Sequence, residues 1–218
     1  MAKIKWDQEG SRLYETGVSN GVLYVHSDGS YQNGVAWNGL ISVTESPSGA
    51  EATPIYADNI KYLSLTSAEE FAASIEAYTY PDEFAECDGS AELTAGVMIG
   101  QQQRKKFALV YKTIIGNDTE NEAHGYKLHI IYGCQAAPSE RAYTTVNDSP
   151  EAITFSWEIS TTPVEVTGHK PTSVLTLDST KVNSTKMKKV EDKLFGDDSS
   201  GQPTLLTPDE VLALINEE

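Results

Sequence analysis

Cysteine is nearly absent from this chain: Cys87 and Cys134 are the only two among 218 residues. Two isolated thiols cannot form the disulfide framework of a secreted scaffold, and they read as buried small hydrophobes. Basic residues are scarce as well, with 16 Lys and Arg against 32 Asp and Glu, a formal net charge of -16. Binding to phosphate needs clustered cations that release condensed counterions, so such a surface repels nucleic acid backbones and anionic headgroups. Long apolar runs are missing too. Lys3 and Lys5 have no apolar stretch behind them, and no segment approaches the length of a membrane span, so synthesis and retention in the cytoplasm are expected. What remains is 39% hydrophobic and 9% aromatic, enough for a sizeable core.

The signatures of chemistry are also wanting. There is no GxxxxGK[ST], no GxGxxG after a strand and no GxSxG, so phosphate cradles and nucleophile elbows are absent in their recognisable forms. His26, His124, His129 and His169 fall into no metal-binding spacing. His129 and Cys134 are five residues apart, which along a regular strand sends the two side chains to opposite faces and excludes a Cys-His pair. Asp82, Glu83, Glu86 and Asp88 form an acidic cluster without the spaced oxygen pattern of a calcium loop, and read as a solvated helix face. Arg104-Lys105-Lys106 is too small a patch for nucleic acid and is expected to flank a strand and pair with an acidic neighbouring subunit. No catalytic residue, cofactor or metal is expected, and the chain reads as a non-enzyme.

What is present is the text of a mainly β protein. From about Leu13 to Leu177, short alternating runs are separated by turn dipeptides. Asn20-Gly21, Asp28-Gly29, Asn33-Gly34 and Asn38-Gly39 predict tight hairpins. Ala152 to Ser160 alternates Ile153, Phe155, Trp157 and Ile159 with polar residues and predicts a half-buried strand. Phe107 to Ile115 and Tyr126 to Tyr132 are apolar on both faces, which suits strands in mid-sheet or at a subunit contact, joined as a long hairpin through Gly116-Asn117-Asp118. Pro81 to Asp88 predicts a short helix stopped by Gly89. Ser67 to Ala77 has helical composition, yet Phe71, Ala73, Ile75 and Ala77 alternate, and it is read as a strand.

The last forty residues change character. Lys186 to Phe195 puts Met187, Val190 and Leu194 on one helical face, with Gly196 after it. A polar linker, Asp197 to Pro203, leads to Thr207-Pro208-Asp209-Glu210, an N-cap and first turn that open a second helix. Residues 1–180 therefore read as a β-sandwich domain with a flanking helix, and residues 181–218 as a helical extension outside its core.

Four stretches resemble the major tail tube proteins of siphophages infecting Gram-positive bacteria: Ser46-Pro47-Ser48-Gly49-Ala50 running to Tyr56-Ala57-Asp58-Asn59; Glu76 to Phe84; Phe107 to Thr113 with Gly116-Asn117-Asp118; and Tyr143 to Glu151 running into Phe155-Ser156-Trp157-Glu158. Their order and spacing carry the resemblance, since each alone is turn and strand chemistry. It implies an antiparallel sandwich whose copies close into hexameric rings, with rings stacked into a tube that conducts DNA without specific binding. That fold is shared with type VI secretion tubes. The implied setting is a virion tail assembled in the host cytoplasm, with a tape measure protein, a tail terminator and distal tail proteins as partners. Family members often carry an immunoglobulin-like C-terminal domain, for which this chain shows the helical tail instead.

In that family a loop between early strands reaches the next ring, and Thr44 to Leu63 is the matching position, with Pro47, Gly49, Pro54, Tyr56 and Tyr62 as candidate stacking residues. Glu45 to Glu92 holds eleven acidic residues and one base, Lys61. Glu45, Glu51, Asp58 and Glu158 are the candidates for lining the tube or its ring junctions, where like charge would keep passing DNA off the wall. The alternative from another class is a carbohydrate-binding β-sandwich, whose mark would be exposed aromatics gathered into a sugar platform.

Overall fold

The computed structural model describes residues 3–146, 148, 151–197 and 201–217. Asn147, Ser149 and Pro150 of the fourth resembling stretch, and residues 198–200 of the polar linker, lie outside the described residues.

The fold is mainly antiparallel β, as expected. In chain order the strands are β1 (Tyr14–Ser27), β2 (Ser30–Tyr31), β3 (Val35–Trp37), β4 (Leu40–Glu45), β5 (Ser48–Gly49), β6 (Ala52–Ala57), β7 (Ile60–Thr66), β8 (Glu69–Glu70) and β9 (Ala72–Ala77). A 3-10 helix at Asp82–Glu86 follows, then β10 (Ala91–Thr94), β11 (Val97–Ile99), β12 (Phe107–Asn117), β13 (Asn121–Ala136), β14 (Phe155–Thr161) and β15 (Val174–Asp178). Two helices, α1 (Ser184–Phe195) and α2 (Pro208–Asn216), complete it.

One nine-stranded sheet runs β2-β1-β12-β13-β14-β9-β4, with β15 also on β13 and β3 on β1. The long strand β13 joins two halves: Lys127 to Ile131 pair with β15, whereas Cys134 to Ala136 pair with β14. The switch is a bulge, for Leu109 pairs with Ile131 while Phe107 pairs with Cys134. Gly133 makes it possible, with φ at +60° and a backbone so close to Thr162 that an added Cβ would lie 2.2 Å from the carbonyl oxygen. The bulge corrects the regular-strand expectation: Ile131 and Cys134 enter the same core, together with Tyr111, against which His129 stacks. Cys134 and His129 thus share a face. Cys134 is wholly buried, its thiol pushed up by desolvation, and Cys87 is buried likewise, at about 12.

The first core lies between the two halves of the sheet. Leu23, Trp37, Phe107, Leu109 and Ile131 meet Ile75, Ala77, Trp157 and Ile159, and Phe84 of the 3-10 helix plugs one end. Its ring centroid is 4.6 Å from Trp37, 5.0 Å from Trp157 and 5.4 Å from Phe107, contacts worth about 1 kcal/mol each beyond burial. In β14, Trp157 and Ile159 are buried and Ser156, Glu158 and Ser160 exposed, as the alternation predicts, although the strand begins at Phe155 where pairing with Ala77 starts. The reading of 67–77 as strand holds for Ala72–Ala77, whose burial alternates residue by residue.

Two of the predicted hairpin turns are something else. Asn20-Gly21 sits inside β1, a 14-residue strand whose register shifts around Ser19. Asn38-Gly39 turns the chain from β3, paired with β1, to β4, paired with β9, so it is a corner between the halves of the sheet.

The tail lies outside this first core and docks on its own subunit, where it builds a second one. Val22, Tyr24, Ala108, Val110, Leu128, Ile130 and Tyr132 form the back face of the sheet, and Met187, Val190, Leu194, Leu206 and Val211 bury against it. The tail is further held where the Tyr24 hydroxyl donates to the Leu194 carbonyl, Tyr132 Oη donates to the Leu206 carbonyl at 2.9 Å, and Lys112 Nζ lies 2.6 Å from Glu191 Oε1. Asn183 caps α1 and Thr207 with Glu210 forms a capping box on α2.

Candidate interaction surface

The expected stacking loop is a projecting β arm. It extends beyond Leu63 to Glu70, and from Thr44 to Glu70 every residue except Ala57 is exposed. Strands β5 and β8 form its wrist and β6 and β7 its blade. At the wrist Gly49 has φ +84°, and a Cβ there would come 2.3 Å from the Ala68 carbonyl oxygen, so the crossing requires glycine. At the tip Asp58 and Asn59 both take positive φ, 52° and 63°, the turn that suits a two-residue hairpin loop. Pro47, Gly49, Pro54, Tyr56 and Tyr62 all lie on this arm and all are exposed. Ile55, Ile60, Leu63 and Leu65 join the two tyrosines as exposed large apolar side chains.

The candidate acidic residues are not gathered in one place. Glu51 and Asp58 are on the arm. Glu45 pairs in register with Ala73 and, although exposed, reaches the edge of the first core, where it accepts a 3.0 Å hydrogen bond from Tyr111 Oη. Glu158 points outward from β14 and shares that outer face with Ser156, Ser160, Ser74 and Glu76, the last taking a 3.0 Å hydrogen bond from Ser42. This face carries small polar side chains, two carboxylates and no base.

Glu45 belongs to a polar cluster at one end of the first core. Tyr111 and His129 stack with centroids 4.7 Å apart. His129 Nε2 is 2.9 Å from Thr113 Oγ1 and 3.5 Å from Glu15, which also pairs with Lys127. Burial holds the His129 imidazole below its ordinary value despite the pull of Glu45 and Glu15. Partial burial would raise the Glu15 carboxyl, but hydrogen bonds from Lys127 and Thr113 hold it low.

Asp88 departs most from the solvated acidic face expected of it. It is buried and accepts from Arg104 at 3.2 Å, from Trp157 Nε1 at 3.1 Å and from Arg141. Lys105 lies 2.6 Å from Glu86, and Lys106 donates to Thr162 Oγ1 at 2.9 Å. The basic triplet is therefore engaged within its own subunit. Further exposed large apolar residues are Ile4, Trp6, Leu13 and Tyr14 near the N-terminus, Tyr78 after β9, Leu93, Val97 and Met98 on the β10-β11 hairpin, Tyr143 and Val146 before β14, and Leu212 in α2. Exposed aromatics are thus distributed over several segments of the chain.

Among the described residues no group of three or more His, Cys, Asp or Glu is arranged to hold a metal ion, and no helix is long and apolar enough to cross a membrane. No protein-family profile and no curated protein matches this chain. Among solved structures it is similar to a chain in the cryo-EM structure of the anti-feeding prophage (AFP) baseplate, 6-fold symmetrised, at 8% identity and a TM-score of 0.39, over 83% of this chain and 99% of that one. A likeness that slight does not bear on function.

Proposed function

We propose that this chain is a structural subunit of a phage-type tail tube, closing into hexameric rings that stack into a conduit for DNA and carrying no catalytic step. The observation that supports the reading is the arm of residues 44–70. A two-stranded hairpin alone in water is marginally stable, and this one exposes Ile55, Tyr56, Ile60, Tyr62, Leu63 and Leu65. Such an element is stabilised by burial against another molecule, and the resemblance assigns that position to ring stacking. Within this reading the subunit acts in a virion tail, beside a tape measure protein, a tail terminator and distal tail proteins.

The outer face of β14, β9 and β4 is the proposed channel wall. Its serines offer little to grip a passing duplex, and Glu76 and Glu158 repel phosphate with no base to offset them.

Electron microscopy and sedimentation of the concentrated protein, beside a variant with residues 51–67 replaced by a short glycine turn, test the proposal. Tubes or stacked rings from the parent and folded, non-polymerising subunits from the variant are expected. A parent that stays monomeric at every concentration overturns the tube, and a variant that polymerises normally overturns the role of the arm.

A further inference from the structure

The β10-β11 hairpin, the 3-10 helix and the β1-β2 turn enclose an open groove of about 710 Å³. Its apolar lining includes Val25, Val35, Tyr80 and Met98. Five carboxylates, Asp28, Asp82, Glu83, Glu86 and Glu92, line it against one lysine, Lys105, which is already paired with Glu86. The groove is therefore a negatively charged slot with a hydrophobic floor, and it sits at the Ser27 end of β1.

At the other end of β1 the chain carries the complementary feature. Lys3-Ile4-Lys5-Trp6 alternates two cations with two large apolar side chains, and all four residues are exposed, Ile4 at 69% and Trp6 at 73%. The segment is anchored just behind. Gly10 and Arg12 donate backbone hydrogen bonds to Asp118 Oδ1, and Tyr14 pairs with Gly116 at the tip of the β12-β13 hairpin.

These positions forbid the segment from filling its own groove. Strand β1 separates them by 14 residues, roughly 40 Å of extended chain. From Gly10 back to Lys5 the chain reaches no more than about 18 Å. We infer that residues 3–6 of one copy dock in the acidic groove of a second copy, with Trp6 and Ile4 on the apolar floor and Lys3 and Lys5 among the rim carboxylates. Because the two surfaces lie at opposite ends of one strand, the contact is heterologous and runs head to tail, a geometry that propagates along an axis. The inference goes beyond the tube reading and depends on neither DNA passage nor the arm.

Two variants with one added cysteine each, Lys5→Cys and Glu83→Cys, give the test, since both native thiols are buried. The two full-length proteins are mixed at assembly concentration, oxidised gently and analysed by mass spectrometry for the mixed disulfide. Lys5→Cys mixed with Ser160→Cys, at an exposed site away from the groove, is the control. The expected result is a mixed disulfide at least ten-fold above the control, lost on adding Lys3→Glu and recovered when Asp82→Lys is also present in the partner. A yield equal to the control overturns the contact, as does a yield indifferent to Lys3→Glu. Tubes without the disulfide leave the tube reading standing and remove this contact, whereas the disulfide without tubes does the reverse.

Discussion

Trp157 Nε1 donates a 3.1 Å hydrogen bond to Oδ1 of Asp88, joining an indole of the first core to a carboxylate that also receives Arg104 and Arg141. Removing the carboxylate strands an indole N–H and two partly buried guanidinium groups at once. Asp88→Ala is therefore expected to lose about 3 kcal/mol of stability, the cost of breaking a buried ion pair from one side. Chemical denaturation measures it, and a loss below 1 kcal/mol would mean that water reaches the site and replaces the carboxylate.

The tail should be indispensable to the fold. Leu194 is fully buried against the back of the sheet, and Leu194→Ala is expected to cost about 3 kcal/mol through lost burial and the cavity left behind. Cutting the chain after Val182 should yield an aggregating or dye-binding protein. A soluble, cooperatively melting truncation would contradict the second core.

Strand β13 supplies a backbone test. Gly133→Ala forces a Cβ toward the Thr162 carbonyl at a positive φ, so the variant must give up the bulge or the pairing beside it. A melting temperature lower by roughly 10 °C is expected for a cost of about 3 kcal/mol in a domain of this size. An unchanged melting temperature would show that the bulge can move.

Stability should weaken in mild acid through His129. Its ring is held below the ordinary 6.5 by burial, while Glu45, Glu15 and Lys127 act around it. Unfolding returns the ring to its ordinary affinity for protons, so its contribution is complete above pH 6.5 and is lost as the pH falls toward the depressed folded value. Glu15, whose carboxyl is held below its ordinary 4.5, adds a loss of the same sign at lower pH. His129→Gln should flatten the melting profile just below pH 6.5 and leave the steeper fall at lower pH. Parallel profiles in the two proteins would exclude His129 as its source.

The sequence was most legible where one element's own pattern decides its structure. Trp157 and Ile159 alternate with exposed neighbours, and Thr207 with Glu210 builds the predicted capping box. It was least legible where partners lie far apart. Asp88 is buried by Arg104, Arg141 and Trp157, up to 69 positions away, and nothing near it in the sequence signals this. Period-two reasoning failed at Gly133 because a single bulged residue exchanges faces. The apolar back faces of β12 and β13 were visible as such, and the amphipathic α1 was visible too. That one covers the other is a long-range fact. Among the candidate interaction surfaces, Tyr56 and Tyr62 were found on the arm, whereas the acidic groove joins residues from Val25 to Lys105 and has no local signature.

The back of the sheet is closed by a segment that follows in the chain every strand it covers. Until Met187 to Val211 have been synthesised, a nascent subunit displays the apolar stripe of Val22, Val110, Leu128 and Ile130, along with the hydroxyls of Tyr24 and Tyr132 awaiting carbonyls more than seventy positions later. Folding of the sheet must then wait for residues 187–211, since contacts of such separation form late and leave the intermediate open to clumping. Chains that stop short of Val211 are thereby marked as sticky and unfinished.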